Sequence, residues 1–467
     1  MADQSLRGYL NKLEHAGELI RISKEVDPLS NMSAIGWKTY DKLKKSTLFD
    51  SIKGHGGWQA CSQIVTDRRK WSIGLDLPES DMVFTLRDRV KNPLPTVDVD
   101  SASAPVKQVI ELGDQANLHT LPAMVTSEKD PGPFIASGMV VVKDPDTGIR
   151  NLSVHRQQIM GPRKTGFVMV PRHARRIYEK YCARGEAMPV AIVIGAHPSI
   201  FFGAAFTSTF GLDELTVAGA VLNDPIRMVK CETVDLEVPA EAEIVLEGEI
   251  LPNHEEPEGP FGEITGTYAE IGKSQIFNLK AITRRADPIF YAIHCGAPLN
   301  DTLGVTGLCM ESVIADHLRH VEGGVDLLDL RCVGEAGNMM FIVKLRPKIT
   351  GQAKTILMAA LSSSYLHPKL AIAVDEDIDT SDLRQIMWSL TTRVHAQRDV
   401  VMIPDTRVFA LDNVSPIDPG QDSFHRVGTK WLIDATMPAL SQAEERQKFE
   451  LALPLHLHDI NLDDFLP

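Results

Sequence analysis

The sequence lacks several features that would assign the chain to a common class. Acidic residues outnumber basic ones and give a net charge of −14, which argues against a surface that binds nucleic acid. No apolar run approaches the roughly 20 residues of a membrane span. We expect no signal peptide, because the first residues run into a charged helical pattern. The six cysteines form no C-x-x-C pair, which predicts reduced core thiols in a cytoplasmic protein.

The length and the turn residues predict more than one domain. With 467 residues, the chain is longer than a typical single domain, and we expect two or three. Residues 91–106 are rich in proline, aspartate and serine, which favours a linker and a boundary near residue 105. The predicted organisation is an N-terminal α/β region (1–105), a strand-rich domain (106–307), a connecting helix (308–327) and a C-terminal α/β domain (328–467).

Hydrophobic periodicity predicts individual elements within these regions. Helical spacing predicts helices at 5–16, 172–184, 213–222, 308–321 and 381–394, the last capped around Thr380 or Ser381. Strand signals, separated by turn residues as in a barrel or sandwich, cover Gly138–Lys143, Gly166–Val170, Val190–Gly195, Glu243–Gly248, Ile276–Ile282, Asn338–Leu345 and Leu370–Val374.

The segment His254–Glu263, H-E-E-P-E-G-P-F-G-E, is the densest candidate for chemistry. Two prolines and two glycines predict a shaped loop rather than a helix or a regular strand. Gly-Pro-Phe-Gly alone separates Glu258 from Glu263, so both carboxylates can converge on one small volume. Paired carboxylates in different surroundings can hold different protonation states, as acid–base catalysis requires. The alternative is an acidic turn at the surface.

Asn151, His173 and Glu214 supply the ligand types of a divalent metal site. Pro171 predicts the start of a helix with His173 in its first turn, where the helix dipole favours a neutral imidazole. One nitrogen and two oxygens suit Mn²⁺ or Mg²⁺ better than zinc. Arg156 and Asn151 would face opposite sides of an unbroken strand, so a shared site requires a bend between them. Each residue also has a structural explanation, as a turn cap or a surface group.

Two further features have more than one interpretation. The run Asp375–Asp379 follows a predicted buried strand, where it is either a cation site or a solvated strand end. The tail from about residue 440 is charged and then apolar, ending in L-A-L-P-L-H-L-H, and we expect it to pack across a neighbouring subunit.

Several motifs occur in a fixed order along the chain. They are N-L-S-V-H-R at 151–156, V-P-R-H at 170–173, D-E-L-T-V-A-G at 213–219, V-K-C at 229–231, V-P-A-E-A-E-I-V-L-E-G at 238–248, P-E-G-P-F-G-E at 257–263 and W-S-L-T-T-R at 388–393. Together they resemble the UbiD family of reversible (de)carboxylases, which use prenylated FMN. The resemblance implies a mixed α+β fold in which residues 106–307 form a split β-barrel of the flavin-reductase type. It also implies a C-terminal domain that mediates homo-oligomerisation, as a dimer or a hexamer.

The resemblance implies roles for individual residues. Asn151, His173 and Glu214 match the family's metal ligands, usually for Mn²⁺, which tie the cofactor phosphate to the protein. Arg156, Glu258 and Glu263 match its catalytic network, with Glu263 as the proton donor and Glu258 as the partner of Arg156. The implied cofactor-binding residues are Asn151, Leu152, Ser153, Val154, His155, Arg156, Arg172, His173 and Glu214. A K⁺ ion commonly lies nearby in the family, but here the matching segment, Gly203–Phe206, departs from better-known members.

The implied activity is that of a carboxy-lyase: reversible, non-oxidative decarboxylation of an aromatic or heteroaromatic acid, such as an indole, pyrrole or phenazine carboxylate. Gly296–Gly307 is the candidate pocket segment for a flat ring. A second enzyme hypothesis is a decarboxylase of a polyprenyl-hydroxybenzoate or a phenolic acid. A hypothesis of another class is a non-catalytic subunit of a larger carboxylase assembly. A flavin prenyltransferase would supply the cofactor.

Overall fold

The computed structural model describes residues 2–269, 272–296, 299–321, 325–457 and 459–466, which form a mixed α/β fold. No helix in these ranges is both long enough and apolar enough to cross a membrane. All six cysteines are free thiols, as predicted, and four of them are buried.

The N-terminal region combines four helices with a small sheet. Its elements are α1 (Leu6–His15), β1 (Leu19–Ile22), α2 (Met32–Leu43), β2 (Ser46–Phe49), β3 (Gln59–Ser62), α3 (Arg68–Leu75), α4 (Met82–Arg89) and β4 (Val97–Asp98). The predicted first helix is confirmed: the Ser5 side chain caps it, and Leu6, Tyr9, Leu10 and Leu13 are buried. Strands β1, β2 and β3 form one sheet, which a strand from residues 289–291 completes.

The stretch predicted as a linker is part of the folded structure. Strand β4 pairs in parallel with Arg227–Lys230, and the Val97 N–H donates to the Ile226 carbonyl at 3.0 Å. Val106 is fully buried. Valine side chains that pack and backbone groups that pair therefore outweigh the turn-rich composition of residues 91–106.

The middle region is dominated by one large sheet. Its elements are β5 (Val109–Leu112), β6 (Phe134–Ile135), β7 (Met139–Lys143), β8 (Arg150–Val154), β9 (Gln157–Gly161), β10 (Lys164–Phe167), α5 (His173–Arg184), β11 (Met188–Ile194), α6 (Pro198–Ala205), α7 (Glu214–Leu222), β12 (Arg227–Lys230), β13 (Glu237–Pro239), β14 (Ile244–Glu258), β15 (Phe261–Gly262), β16 (Tyr268–Ala269), β17 (Gly272–Arg284) and β18 (Ile289–Tyr291). Four of the five strands predicted here are present, and β14 and β17 are much longer than predicted; the fifth, Gly166–Val170, overlaps β10 only at Gly166 and Phe167.

The order of strands shows that this sheet is curled. The order is β6-β9-β10-β17-β14-β11-β7-β8, with β5 on the far part of β17. Strands β8 and β9 lie near opposite ends of that order, yet His155 and Arg156 alone separate them in the chain. The two ends of the sheet must therefore lie side by side. Hydrogen bonds among the described strands do not close this sheet into a barrel. The mixed α/β fold is therefore confirmed, whereas the predicted split barrel is not.

The prediction of a loop over His254–Glu263 is wrong for its first half. Strand β14 continues to Glu258 and pairs with β17, with Pro257 opposite Lys273. Along these residues β14 pairs with β17 alone among the described strands, so Pro257 sits at an edge, where its missing N–H breaks no ladder. A register shift between Ile250 and Glu255 includes Asn253 in the left-handed region, with φ of 55°.

The C-terminal region is an α/β layer on a five-stranded sheet of order β19-β20-β21-β23-β22. Its elements are α8 (Asp301–Leu318), β19 (Asp326–Val333), β20 (Met340–Arg346), α9 (Gln352–Leu361), β21 (Leu370–Val374), α10 (Leu383–Thr392), α11 (Ala396–Asp399), β22 (Val400–Val408), β23 (Arg426–Ala435) and α12 (Ala443–Gln447). Helix α8 begins seven residues before its predicted start, because the Asn300 side chain accepts from the Leu303 N–H and caps it. Helix α10 is capped by Asp382 rather than by Thr380 or Ser381.

In the acidic run Asp375–Asp379, Asp375 and Asp377 pair with arginines, and only Asp379 at its end is exposed, as predicted for a solvated strand end. Asp375 is fully buried and accepts from both terminal nitrogens of Arg446, at 2.6 and 2.9 Å. Asp377 pairs with Arg393, whose Nη1 lies 2.9 Å from Oδ1. Arginines from distant parts of the sequence therefore neutralise the run.

Asp301, the first residue of α8, connects this helix to the N-terminal region through hydrogen bonds. It is fully buried and accepts from the backbone N–H groups of Gln63 at 2.8 Å and Val65 at 2.7 Å. Burial outweighs these bonds and raises the pKa of Asp301 to about 6.

This raised pKa predicts a pH dependence of stability. The folded-state pKa lies above the ordinary value near 3.9. The stabilisation from this proton is therefore complete below about pH 3.9 and lost as the pH rises through about 6. Asp301→Asn removes this titration. Between pH 4.5 and 7, the free energy of unfolding of the parent should therefore fall by about 2 kcal/mol relative to that of the variant. Thermal midpoints of both proteins across this range test it, with Asp41→Asn, an exposed carboxylate of α2, as the control. A difference between the thermal midpoints of parent and variant that stays constant with pH would contradict this prediction.

Candidate active site

A break between two strands brings Asn151 and Arg156 to one site. Strand β8 ends at Val154 and β9 begins at Gln157, so Arg156 lies in the connection between them. The His155 N–H donates to the Gly138 carbonyl at 3.0 Å and holds the connection against the start of β7. The bend that a shared site requires is therefore present, at the place where the two ends of the curled sheet meet.

Arg156 lies between the two glutamates that the sequence singled out. Its Nε and Nη2 donate to the two oxygens of Glu258, at 3.2 and 3.0 Å, and form a fork. Its Nη1 contacts Oε1 of Glu263. The Glu258 side chain is 1% exposed, whereas those of Arg156 and Glu263 are 16% and 14% exposed. The guanidinium also lies over the Phe261 ring, 4.8 Å from its centroid.

Backbone contacts fix the second half of the acidic segment. The Gly259 N–H donates to Oε1 of Gln158 at 3.0 Å, and Gly259 has φ of 90°, which disfavours a larger residue there. The Gly262 N–H donates to Oδ1 of Asp130 at 3.2 Å. Strands β15 and β16 form a short hairpin, in which the Glu263 N–H donates to the Thr267 carbonyl at 2.8 Å. Glu258 therefore stands at a strand end and Glu263 in a hairpin turn.

The three predicted metal ligands lie together in the structure. Glu214 begins α7, is buried, and accepts from Nδ2 of Asn151 at 3.0 Å through each of its oxygens. Nδ1 of His173 lies 3.6 Å from Oε1 of Glu214. The Leu152 N–H and the Ser208 hydroxyl also donate to Glu214, both at 2.9 Å. One imidazole nitrogen, one carboxylate and one amide oxygen form a donor set that fits Mn²⁺ or Mg²⁺.

The helix that carries His173 starts later than predicted. Helix α5 begins at His173 itself, and Arg172 precedes it as the cap in an extended conformation. Pro171 is therefore outside the helix, although His173 remains in its first turn. Nη1 of Arg172 donates to the Thr207 hydroxyl at 3.1 Å. The Phe210 ring packs edge-on against the His173 ring, at 5.4 Å between centroids.

The residues between Asn151 and Arg156 connect the two clusters. Nδ1 of His155 lies 2.9 Å from the Val168 carbonyl, and Nε2 lies 2.9 Å from the Ser153 hydroxyl. Burial lowers the pKa of His155 to about 4, so the ring is neutral and donates through Nδ1. Its Nε2 then accepts the Ser153 proton at 2.9 Å, so the 3.4 Å contact between the Ser153 hydroxyl and Oδ1 of Asn151 is the weaker of the two. Leu152 is buried among apolar side chains and Val154 is partly buried.

The structure describes the predicted pocket segment, Gly296–Gly307, only in part. Residues 297 and 298 lie outside the described ranges, and from Asp301 onward the segment is the first part of α8. A Cβ at Gly304 would lie 2.1 Å from the Val65 carbonyl oxygen. This small residue therefore allows α8 to pack closely on the N-terminal region.

Sequence reasoning missed several contributors to the site. Phe261, Gln158 and Asp130 shape the arginine–glutamate cluster, and Ser208 completes the contacts of Glu214. Gln158 could have been suspected, because it lies two residues after Arg156 in the sequence. Asp130 carried no signal, because its role depends on the distant Gly262 N–H.

Comparison with known proteins places this chain in one enzyme class. The sequence matches three models for domains of 3-octaprenyl-4-hydroxybenzoate carboxy-lyase: the N-terminal domain over residues 10–90, the Rift-related domain over 97–298 and the C-terminal domain over 305–435. The protein is thus a carboxy-lyase of mixed α/β fold. Since these matches cover most of the chain, it belongs to the UbiD family.

Similar proteins match over the whole length. The UbiD-class enzyme HmfF from Pelotomaculum thermopropionicum, solved with FMN, is 32% identical with a TM-score of 0.90, over 99% of this chain and 100% of that one. An evolved dimeric form of HmfF was solved with prenylated FMN. Vanillic acid decarboxylase from Sedimentibacter hydroxybenzoicus is 28% identical with a TM-score of 0.85, over 97% of each chain. An uncharacterized protein of Archaeoglobus fulgidus is 29% identical, over 96% of this chain and 94% of its own.

Gly166 packs closely against Glu258, so we expect a larger residue at this position to lower activity. A Cβ at Gly166, in β10, would lie 2.9 Å from Cγ of Glu258 and 2.8 Å from Cε of Met160. Gly166→Ala should therefore displace the Glu258 carboxylate and lower kcat for decarboxylation by roughly 10- to 100-fold, since misplacement by about 1 Å has effects of that size. Gly161→Ala on β9 is the matched control, because a Cβ there meets nothing within 4 Å. Equal activity of the two variants would refute this account.

Proposed function

We propose that the protein decarboxylates an aromatic or heteroaromatic acid reversibly and without oxidation, with prenylated FMN as its cofactor. The observation that carries this proposal is the position of Arg156 between Glu258 and Glu263. Support for the cofactor comes from HmfF, whose structures contain FMN and prenylated FMN. Support for an aromatic acid comes from the vanillic acid decarboxylase.

The chemistry explains why an arginine and two acids are required. Loss of CO₂ from an sp² carbon leaves a carbanion that the substrate does not stabilise. When bound, the prenylated flavin supplies the necessary electron sink. The protein must orient the substrate carboxylate, exclude water and return a proton to the carbon that lost CO₂.

We assign the orienting role to Arg156. A guanidinium is permanently charged and presents parallel N–H donors that match a carboxylate. Its Nε and Nη2 are occupied by Glu258, whereas Nη1 faces Glu263. The Nη1 side is therefore where a substrate carboxylate would be bound.

We assign proton donation to Glu263 and the role of permanent partner to Glu258. Glu258 is the more deeply buried acid and holds Arg156 through two bonds, which favour its carboxylate form. Glu263 touches Arg156 through one oxygen and lies in a turn. A substrate carboxylate that replaces this contact would free Glu263 to carry a proton.

We propose that Asn151, His173 and Glu214 hold Mn²⁺ or Mg²⁺, which would bind the cofactor phosphate to the protein. Leu152, Ser153, Val154, His155, Arg156 and Arg172 would line the cofactor site beside it. A K⁺ ion, if bound as is common in the family, would lie around Gly203–Phe206 at the C-terminal end of α6. The curled middle sheet would be the split barrel that surrounds the cofactor.

We further propose a cytoplasmic homo-oligomer, a dimer or a hexamer, that obtains its cofactor from a flavin prenyltransferase. The apolar tail is consistent with packing across a subunit boundary: Leu455, Leu462 and Phe465 are 86%, 63% and 70% exposed. The C-terminal α/β domain (328–467), joined to the strand-rich domain (106–307), would supply the contacts between subunits.

Removal of the proton donor should abolish turnover but not cofactor binding. General acid–base groups contribute roughly 10²–10⁴-fold to rate, so Glu263→Gln should lower kcat by at least that lower figure. CO₂ release from a panel of aromatic acids and the flavin absorbance of the purified protein measure the two effects. Glu255→Gln, on the same segment but exposed, should behave as the parent. Unchanged decarboxylation by Glu263→Gln would overturn the assignment.

Removal of a proposed metal ligand should prevent the protein from binding the metal ion and the flavin. His173→Ala is expected to purify with less than a tenth of the metal and flavin of the parent, because two remaining ligands hold a divalent ion poorly. Elemental analysis and the flavin spectrum, after co-expression with a flavin prenyltransferase, give the occupancies. His119→Ala, an exposed histidine, is the control. Full metal and flavin in His173→Ala would refute this site.

A further inference from the structure

The residue that follows Glu263 belongs to a small apolar cluster of its own. Ile264 is buried with Tyr40 of α2 and with Leu299 and Leu303 at the start of α8. Phe409 and Leu411, which follow β22, pack against this cluster. Small clusters of this kind commonly lie beneath loops, apart from the main core. The C-terminal region therefore supplies part of the surface that holds the Glu263 turn.

The contacting segment, which we call the 409–413 loop, is held firmly by its own region. Asp412 is 3% exposed and accepts from Nζ of Lys369 at 2.9 and 3.0 Å. Nε of Arg426 donates to the Ala410 carbonyl at 2.8 Å. The Phe409 ring stacks on the His367 ring, at 3.9 Å between centroids. This loop is therefore a fixed part of the C-terminal region rather than a free surface segment.

A hydrogen bond joins the 409–413 loop directly to the turn. Nδ2 of Asn413 donates to the Thr267 hydroxyl at 2.8 Å. The carbonyl of Thr267 accepts from the Glu263 N–H at 2.8 Å, and the Gly266 N–H donates to the Glu263 carbonyl at 2.9 Å. Asn413 thus contacts the residue that closes the turn around Glu263.

A cavity lies beside these contacts. It has a volume of about 320 Å³, and it is lined by Ile264, Thr265 and Thr267 of the turn and by Leu411, Asp412 and Asn413 of the loop. Gly337 also approaches the turn, since a Cβ there would lie 3.6 Å from Cα of Thr265. The apolar cluster and the Asn413 bond are the contacts that the 409–413 loop itself makes with the turn.

We propose that the 409–413 loop positions Glu263, with Phe409 and Asn413 as positioning residues that act through Ile264 and Thr267. This inference rests on the proposed role of Glu263 as proton donor. On this proposal, proton donation depends on the position of the C-terminal region, because Glu263 is correctly placed only when the 409–413 loop contacts its turn.

Two variants and one control test this coupling in the full-length protein loaded with cofactor. Asn413→Ala and Phe409→Leu should each lower kcat by about three- to tenfold, the effect of one lost hydrogen bond or a few lost methylene contacts. KM and flavin content should stay at the parent values, since neither residue contacts substrate or cofactor in this scheme. Gln421→Ala removes an exposed amide farther along the same connection and should leave kcat unchanged.

Hydrogen–deuterium exchange gives a readout that does not depend on turnover. Backbone amides of residues 263–268 should exchange at least threefold faster in Asn413→Ala and Phe409→Leu than in the parent or in Gln421→Ala. Thr267→Val combined with Asn413→Ala should lower kcat no further than either change alone, because both remove the same bond.

Unchanged exchange in residues 263–268, or faster exchange with an unchanged kcat, would overturn the inference. A lowered flavin content would also overturn it, since the effect would then be structural. If the parent decarboxylates no acid in the panel, the proposed function fails. The coupling between the 409–413 loop and the turn is then still decided by exchange.

Discussion

One guanidinium shared by two carboxylates is the interaction on which the site depends. Glu258 is almost completely buried, and a buried carboxylate is tolerated only when it is paired. Arg156 pairs with it through a fork and still has a nitrogen that faces Glu263. The two acids are held by different backbone, a strand end for Glu258 and a hairpin turn for Glu263. In the proposed mechanism, the same residue type is therefore a fixed partner in one position and a proton carrier in the other.

The curled sheet creates the position of Arg156. Strands near opposite ends of the strand order, β8 and β9, follow each other in the chain, so their connection lies where the ends of the sheet approach. Strands β14 and β17 form the middle of the same sheet and carry Glu258 toward that place. Residues far apart in the strand order thus meet because the sheet bends back on itself.

Elements that follow from local sequence patterns could be predicted, whereas features that depend on long-range contacts could not. The helix from Leu6 and the strand Leu370–Val374 follow from caps and apolar spacing, and the bend before Arg156 follows from strand alternation. The strand character of Pro257 could not be read locally, because a proline is tolerated there only at an edge that the fold creates. The burial of Asp375 depends on Arg446, 71 residues later. The candidate functional residues were proposed as a set because their motifs occur in a family's order, not because any one of them was distinctive.

The short distance along the chain between Asn151 and Arg156 limits how this enzyme can change. Asn151 touches the proposed metal ligand Glu214, and Arg156 touches both acids, with Ser153 and His155 hydrogen bonded in between. In the proposed roles of these residues, an insertion or deletion here would alter cofactor retention and catalysis together. The proposal therefore implies that this segment keeps a constant length, and that changes in substrate choice arise on other segments around the site.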